Sequence, residues 1–420
     1  MTTPSSLSRV SLKTSRQLLL SLALAFSPAM APAQQAAAPA GAGAAVSPAP
    51  AATPPAIGIN AASELSDIPA PSVPARAWLT LDVNSGQVVG ALNPDQPVEP
   101  ASLTKLMAAY VIFDAIKHNR LALDQKVSIS EKAWRTEGSR MFVKVNTQVS
   151  VDELLQGLIV QSGNDATVAL AEAVAGSESA FVAMMNQQAQ RQGLTATHFT
   201  NAPGLPDPQH KTTVRDLALI AMNLVNDFPE FLHYYSQKEF TYNHIKQPNR
   251  NRLLWTDPTV DGLKTGHTSS AGYCLVSTAL RDGRRVVSVL VGADSDAART
   301  ESSLKLLNWS FQNFDTVKLY DQNEPAVQAR VWEGRSETVD LGQTRPVWVT
   351  VPRGKASEIK PVAQYTQPLV APLVKGTEVG TVSLSLGGKV LRQEPLAVMQ
   401  DVAQASLLGR WYDKIRLMFQ

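Results

Sequence analysis

Ser102-Leu103-Thr104-Lys105 opens an apolar-periodic segment that follows Pro100, and the fold is read outward from there. Alone, Ser-x-x-Lys is an ordinary helix start. It gains meaning from Ser162-Gly163-Asn164 and Lys264-Thr265-Gly266, which follow in that order at separations of 60 (102 to 162) and 102 (162 to 264) positions. Each triplet recurs by chance in unrelated chains, the second as a helix break capped by Asn164, the third as nothing in particular. Their order, gaps and surrounding elements together describe one kind of active site, a serine nucleophile activated by a lysine instead of a histidine.

The flanking pattern predicts the frame that carries these motifs. Trp78-Leu79-Thr80-Leu81-Asp82 alternates, Asn84-Ser85-Gly86 turns and Gln87-Val88-Val89 returns, as a hairpin does. A helix is expected from Ser102 to Lys117. Ser150-Val151-Asp152-Glu153 is a capping box opening a helix to about Val160. Further helices fit 165–175, 178–192, 213–226 and 297–313. A strand edge fits Val260-Asp261-Gly262-Leu263, and a hairpin over 272–293 turns at Arg281-Asp282-Gly283-Arg284. Strands at both ends with helices between predict an α/β (α+β) domain over 76–314. Its central antiparallel sheet has its first and last strands side by side and a helical region against it. Short alternating strands over 315–400 predict a small all-β domain, a sandwich. Residues 401–420 return to helical period, with Leu408, Trp411, Tyr412, Ile415, Met418 and Phe419 in one stripe and Arg410, Asp413 and Lys414 opposite. Such a helix suits a bilayer surface; docking on its own domain is the alternative.

The N-terminus has the pattern of an export signal over 1–33. Arg9, Lys13 and Arg16 precede an apolar run from Leu18 to Phe26, which is too short to span a bilayer, and Ala31-Pro32-Ala33 fits a cleavage site. Residues 34–75, dominated by Ala and Pro with scarcely any charge, read as a disordered spacer. With 38 basic and 36 acidic residues the net charge is +2, and no basic block marks the chain as a nucleic-acid binder. Cys274 is the sole cysteine, so no intrachain disulfide exists; its apolar setting predicts a buried structural thiol.

The chemistry explains the residue types. Ser102 and Lys105 lie three apart and share a helix face. Lysine takes a serine proton only when neutral, so its free pKa of about 10.4 must fall by some three units, which burial and a nearby cation achieve. Lys264 is the expected cation. Ser162, at the junction of two helices, suits proton relay, and the Asn164 amide offers donor and acceptor together. Lys264 and Thr265 offer a cation and a hydroxyl to a carboxylate on a strand edge where Gly266 admits close approach.

The chain resembles the low-molecular-mass penicillin-binding proteins that act as D-alanyl-D-alanine carboxypeptidases, from about residue 76 to the C-terminus. Beyond the triplets, the similar stretches are Pro100 to Met107, Asn201-Ala202-Pro203-Gly204-Leu205-Pro206, Asn249-Arg250-Asn251 and Asp261 to Gly272. The resemblance implies that Ser102 is acylated, Lys105 is its base, Ser162 passes protons and Asn164 holds the peptide amide. It implies that Lys264, Thr265 and Arg299 receive the terminal carboxylate, with Gly266 lying against the substrate and His267 in contact or merely positioned there, and that the Ser102 and His267 N–H groups form the oxyanion hole. Arg250 is expected to be structural. The implied partners are peptidoglycan stem peptides and β-lactam antibiotics, with no cofactor and no metal. The implied location is periplasmic, on the outer face of the inner membrane.

Three rivals share the motifs. A class A β-lactamase uses Glu-x-x-Leu-Asn to activate its deacylating water, whereas this chain reads Thr197-His198-Phe199-Thr200-Asn201 in the corresponding place, without a carboxylate. A cross-link endopeptidase and a non-catalytic wall-binding scaffold remain as alternatives.

Overall fold

The computed structural model describes residues 68–419. The expected signal peptide and most of the expected spacer lie outside them. Five strands form one antiparallel sheet in the order Val88–Leu92, Ala77–Asp82, Arg284–Ala293, Gly272–Arg281, Val260–Thr268. Strands from the two ends of the segment thus pair side by side, Leu79 opposite Val289. Asp282 and Gly283 at the hairpin turn both have positive φ (49° and 77°), the backbone a tight two-residue turn demands and an Asp-Gly pair accepts.

Both faces of this sheet are covered, so alternate residues of one strand enter different cores. Val287, Val289 and Val291 face the helical region, where Lys105–Lys117 and Asn164–Ala175 are buried along most of their length. Val286 and Leu290 face Asp296–Asn313, against Leu306, Leu307 and Phe311. The Val260–Thr268 strand forms one free edge of the sheet. Two small antiparallel strand pairs that periodicity did not single out, Lys126–Ser128 with Gln148–Ser150 and the hairpin of Glu239–Tyr242 with Ile245–Pro248, flank the helical region.

Two expectations need correction. The helix expected from Ser102 begins at Lys105, preceded by a tight 3-10 turn over Ala101–Thr104 in which Leu103 N–H donates to Pro100 O (3.0 Å). The disorder expected to residue 75 stops earlier. Val73 is buried with Trp78, Leu290 and Leu306, Trp309 Nε1 donates to Pro69 O (3.1 Å) and Lys305 Nζ to Ser72 O (3.1 Å). Apolar and backbone groups in this stretch find partners on the helix Asp296–Asn313.

Asp296–Asn313 runs without a linker into strand Phe314–Tyr320, which pairs with Val347–Pro352. A six-stranded sheet follows, in the order Lys360–Tyr365, Glu378–Leu386, Lys389–Val398, Thr338–Gly342, Pro325–Trp332, Leu369–Val370. Val347, Val349 and Val351 from the pair meet Val339, Leu341 and Leu384 from the sheet in one core. Buried polar groups join this region to the five-stranded sheet. Asp82 accepts from Arg284 Nε (2.7 Å), Thr316 Oγ1 (2.6 Å) and Ser85 N (3.0 Å), while Ser85 Oγ meets Thr350 Oγ1 (2.6 Å).

The tail forms helix Leu407–Leu417, its Ser406 side chain accepting from Gly409 N (3.4 Å). Glu333 N–H donates to Asp413 Oδ2 (2.8 Å), so the polar face turns toward the β region. Leu408, Trp411, Tyr412, Met418 and Phe419 stay exposed. Among the described residues no single helix is long and apolar enough to cross a membrane.

Candidate active site

Ser102 occupies the Ala101–Thr104 turn, and Lys105 is the first residue of the helix that follows. Lys105 is fully buried. Its Nζ lies 3.0 Å from Ser102 Oγ and donates to Asn164 Oδ1 (2.7 Å) and Pro203 O (2.7 Å). Burial pulls its pKa down to about 7; the Arg250 charge adds to the fall and Asp165 opposes it. The cation expected to depress Lys105 was Lys264, but Arg250, expected to be structural, is the charge that does so most. The donor set also fixes a direction. A neutral amine has two N–H groups, and both face oxygens that only accept, so its lone pair is left for Ser102.

Upstream of the second motif, the capping box expected at Ser150 is formed with Glu153, and the helix widens into a π-type turn over Gly157–Gln161. Ser162 then adopts a left-handed conformation (φ 67°), unusual for a residue with a side chain and a mark of functional sites. Its Oγ is buried without a hydrogen-bond partner among the described residues. Asn164 is no helix cap. Its Oδ1 accepts from Lys105 and its Nδ2 donates to Glu137 O (2.6 Å). Next to it, the Asp165 carboxylate accepts from Met141 N (2.9 Å), Phe142 N (2.9 Å) and Val143 N (3.2 Å), pinning the segment that brings Gly138 and Ser139 to the cleft.

The third motif lies on the free-edge strand. A Cβ at Gly266 would stand 3.2 Å from Pro100 O and 3.3 Å from Leu103 N, so the strand passes directly over the Ala101–Thr104 turn. That close approach puts Thr265 and His267 beside Ser102 on one cleft wall. Lys264 is buried, and its Nζ donates to Thr265 O (3.0 Å). Burial first, then Lys105, Arg250 and Arg299, hold its pKa well below the usual lysine range. His267 is exposed, its ring 4.2 Å from that of Tyr273.

These groups line one cleft of about 760 Å³ that includes Ser102, Ser162, Thr265, Gly266, His267, Arg250, Arg252 and Arg299. Arg299 is buried, paired with Asp296, and its Nη2 donates to Arg250 O (3.4 Å). Asp296 also binds Arg252 and is the one carboxylate among the described lining residues. All nine site residues expected from the sequence therefore gather around one cleft, Lys105, Asn164 and Lys264 from beneath. Four contributions were missed: Pro203 O, the charge of Arg250, Asp165 and Asp296. The Asn201–Pro206 and Asn249–Asn251 stretches were noticed only as similar segments, since a backbone carbonyl leaves no mark in a residue pattern.

Comparison with known proteins agrees with this geometry. Residues 64–295 match the family described as D-alanyl-D-alanine carboxypeptidase, and residues 314–404 match the C-terminal domain of penicillin-binding protein 5. The chain is 44% identical to D-alanyl-D-alanine carboxypeptidase DacC of Escherichia coli over 84% of its own length and 90% of that protein's. It is 43% identical to DacA of Haemophilus influenzae, over 85% and 93%. Penicillin-binding protein 5 from Haemophilus influenzae superimposes with a TM-score of 0.78 at 43% identity, covering 80% of this chain and 100% of that one. Penicillin-binding protein D2 from Listeria monocytogenes, in its ampicillin-bound form, matches at 0.54 and 31%, covering 58% and 100%. On these matches and this cleft, the chain belongs to the D-alanyl-D-alanine carboxypeptidase family.

Proposed function

We propose that this carboxypeptidase removes the terminal D-alanine of peptidoglycan stem pentapeptides through an acyl-enzyme on Ser102. The observation that carries this reading is Lys105, buried, 3.0 Å from Ser102 Oγ and near neutrality at physiological pH. Its lone pair takes the Ser102 proton as Oγ adds to the D-Ala-D-Ala carbonyl. The Ser102 and His267 N–H groups receive the oxyanion, each donor worth about a hundredfold or more. The C–N bond breaks, and the proton reaches the leaving amine through Ser162, whose unpartnered hydroxyl suits the relay. Water then attacks the ester with Lys105 again as base, releasing the shortened peptide. Asn164 contacts the peptide amide as well as Lys105.

The substrate backbone adds to the free edge of Val260–Thr268, and its carboxylate is received by Thr265, Arg299 and His267 on the cleft wall, with Lys264 buried beneath them. A penicillin enters the same way and acylates Ser102, but its leaving group stays tethered and deacylation is slow. The test is D-alanine release from a pentapeptide ending in D-Ala-D-Ala, wild type beside Ser102→Ala. Release by wild type alone is expected. No release from a protein that still binds fluorescent penicillin would overturn the substrate assignment and favour cross-link cleavage or a wall-sensing role.

The location is part of the same proposal: export by a cleaved signal, then attachment to the outer face of the inner membrane in the periplasm. Support comes from the basic, apolar and small-residue order of residues 1–33, and from the tail helix, whose exposed apolar stripe faces away from the β region. A chain ending at Asp401 is expected in the soluble fraction; its salt-resistant recovery with membranes would sink the attachment.

A further inference from the structure

His210 lies outside all three motifs, is 2% exposed and is not on the wall of the Ser102 cleft, yet its ring bonds to Thr104 and to Asn201, one beside Lys105 and the other at the base of the loop that reaches it. On one side, Nδ1 accepts from Thr200 N (3.3 Å) and meets Thr200 Oγ1 (3.1 Å) and Asn201 Nδ2 (3.5 Å). A backbone N–H only donates, so Nδ1 carries no proton and Nε2 does. Nε2 therefore donates to Thr104 Oγ1 (2.8 Å), in the residue between Leu103 and Lys105. Burial holds the ring neutral, its pKa drawn down to about 4.

The residues it joins are the two halves of the base's environment. Asn201 Oδ1 accepts from Gly204 N (2.8 Å) and Leu205 N (2.8 Å), curling the Asn201–Leu205 loop so that Pro203 O reaches Lys105. Gly204 (φ 85°) presses on the nucleophile turn so closely that a Cβ would collide with Ala101 O, and would stand 2.7 Å from Thr104 Oγ1. Loop and turn touch at backbone distance, and the His210 imidazole is the polar strut between them.

We propose that His210 is a positioning residue for acylation: through Thr104 and the Asn201–Leu205 loop it keeps Pro203 O on Lys105, so that the amine's remaining lone pair faces Ser102. Without the strut the loop relaxes, one Lys105 N–H loses its acceptor, and the amine turns a hydrogen toward Ser102 instead of its lone pair. The inference rests on Lys105 acting as the base.

The test is a double-mutant cycle on Thr104→Val and His210→Ala, read as kcat and KM for D-alanine release, the rate of acylation by fluorescent penicillin, and thermal midpoint. Each single change is expected to lower kcat and acylation by about tenfold to a hundredfold, the scale of a small misplacement of reacting groups, with KM little changed. The double variant should lose no more than the worse single one. His210→Gln, which retains a donor near the Nε2 position, should recover part of the loss. Additive losses, or an active Thr104→Val, would overturn the proposal, as would a fall in thermal midpoint with kcat unchanged. Should His210→Ala not fold, Thr104→Val alone decides by the same readings. If Lys105→Met acylates normally, the base assignment fails instead, and the two failures are told apart.

Discussion

Two clusters of buried polar groups lie near opposite ends of the central sheet, and they differ in whether a carboxylate meets the buried cation; each leaves polar atoms without a partner among the described residues, Ser162 Oγ in one and Gln87 Nε2 and Arg284 Nη2 in the other. At the seam with the β region, Asp82 is fully buried and saturated, holding Arg284, Thr316 and the Ser85 N–H, while Thr350 serves Ser85 and takes Gln87 Oε1 on its own N–H (2.6 Å). Beneath the cleft, Lys105 and Lys264 are buried with no carboxylate among the described residues hydrogen-bonded to either, while on its wall Ser162 is held in a left-handed conformation and its hydroxyl has no partner among the described residues. A satisfied buried charge holds structure together. One without a carboxylate partner is kept ready to exchange a proton or receive a ligand.

That contrast separates what mutations should do at each place. Ser102→Ala should abolish D-alanine release, by about 10³-fold or more, without moving the thermal midpoint. Lys105→Met should slow acylation by about 10²–10⁴-fold, the usual worth of a positioned base, and leave stability little changed, the removal of a buried amine offsetting the Asn164 and Pro203 acceptors it strands. Asp82→Ala should do the reverse. It strands Arg284 at the seam and should cost about 3–5 kcal/mol by denaturant unfolding, with kcat/KM per folded molecule preserved. Ser85→Ala, which removes one hydroxyl from the same seam, should cost only about 1 kcal/mol. A seam variant that lost turnover while folded, or a cleft variant that unfolded, would break the division.

The sequence spoke clearly where function is local and faintly where it depends on the folded chain. Ser102 and Lys105 are three positions apart because one turn must present both, and Lys264 to Gly266 are contiguous because one strand must. The hairpin and capping-box signals were legible for the same reason, as was the period of the tail helix. Pro203 reaches Lys105 across 98 positions through a carbonyl, and Arg250 acts by proximity of charge, so neither leaves a local pattern. Segment 68–75 looked like its Ala/Pro-rich neighbours until Trp309 and Lys305 supplied partners. The Ser102–Lys105 motif is legible, but its turn reads as helix because apolar period does not register the positive φ of Ala101 (48°).

The central claim is that burial makes Lys105 the base for Ser102, and the most direct measurement is the acylation rate of the free enzyme by fluorescent penicillin from about pH 5 to about pH 9. Only neutral Lys105 accepts the proton, so the rate should rise with pH through a limb near 7 and fall about tenfold per unit below it. In Lys105→Met the residual rate should show no such limb. A flat profile in the wild type, or a limb that survives in Lys105→Met, would contradict the assignment.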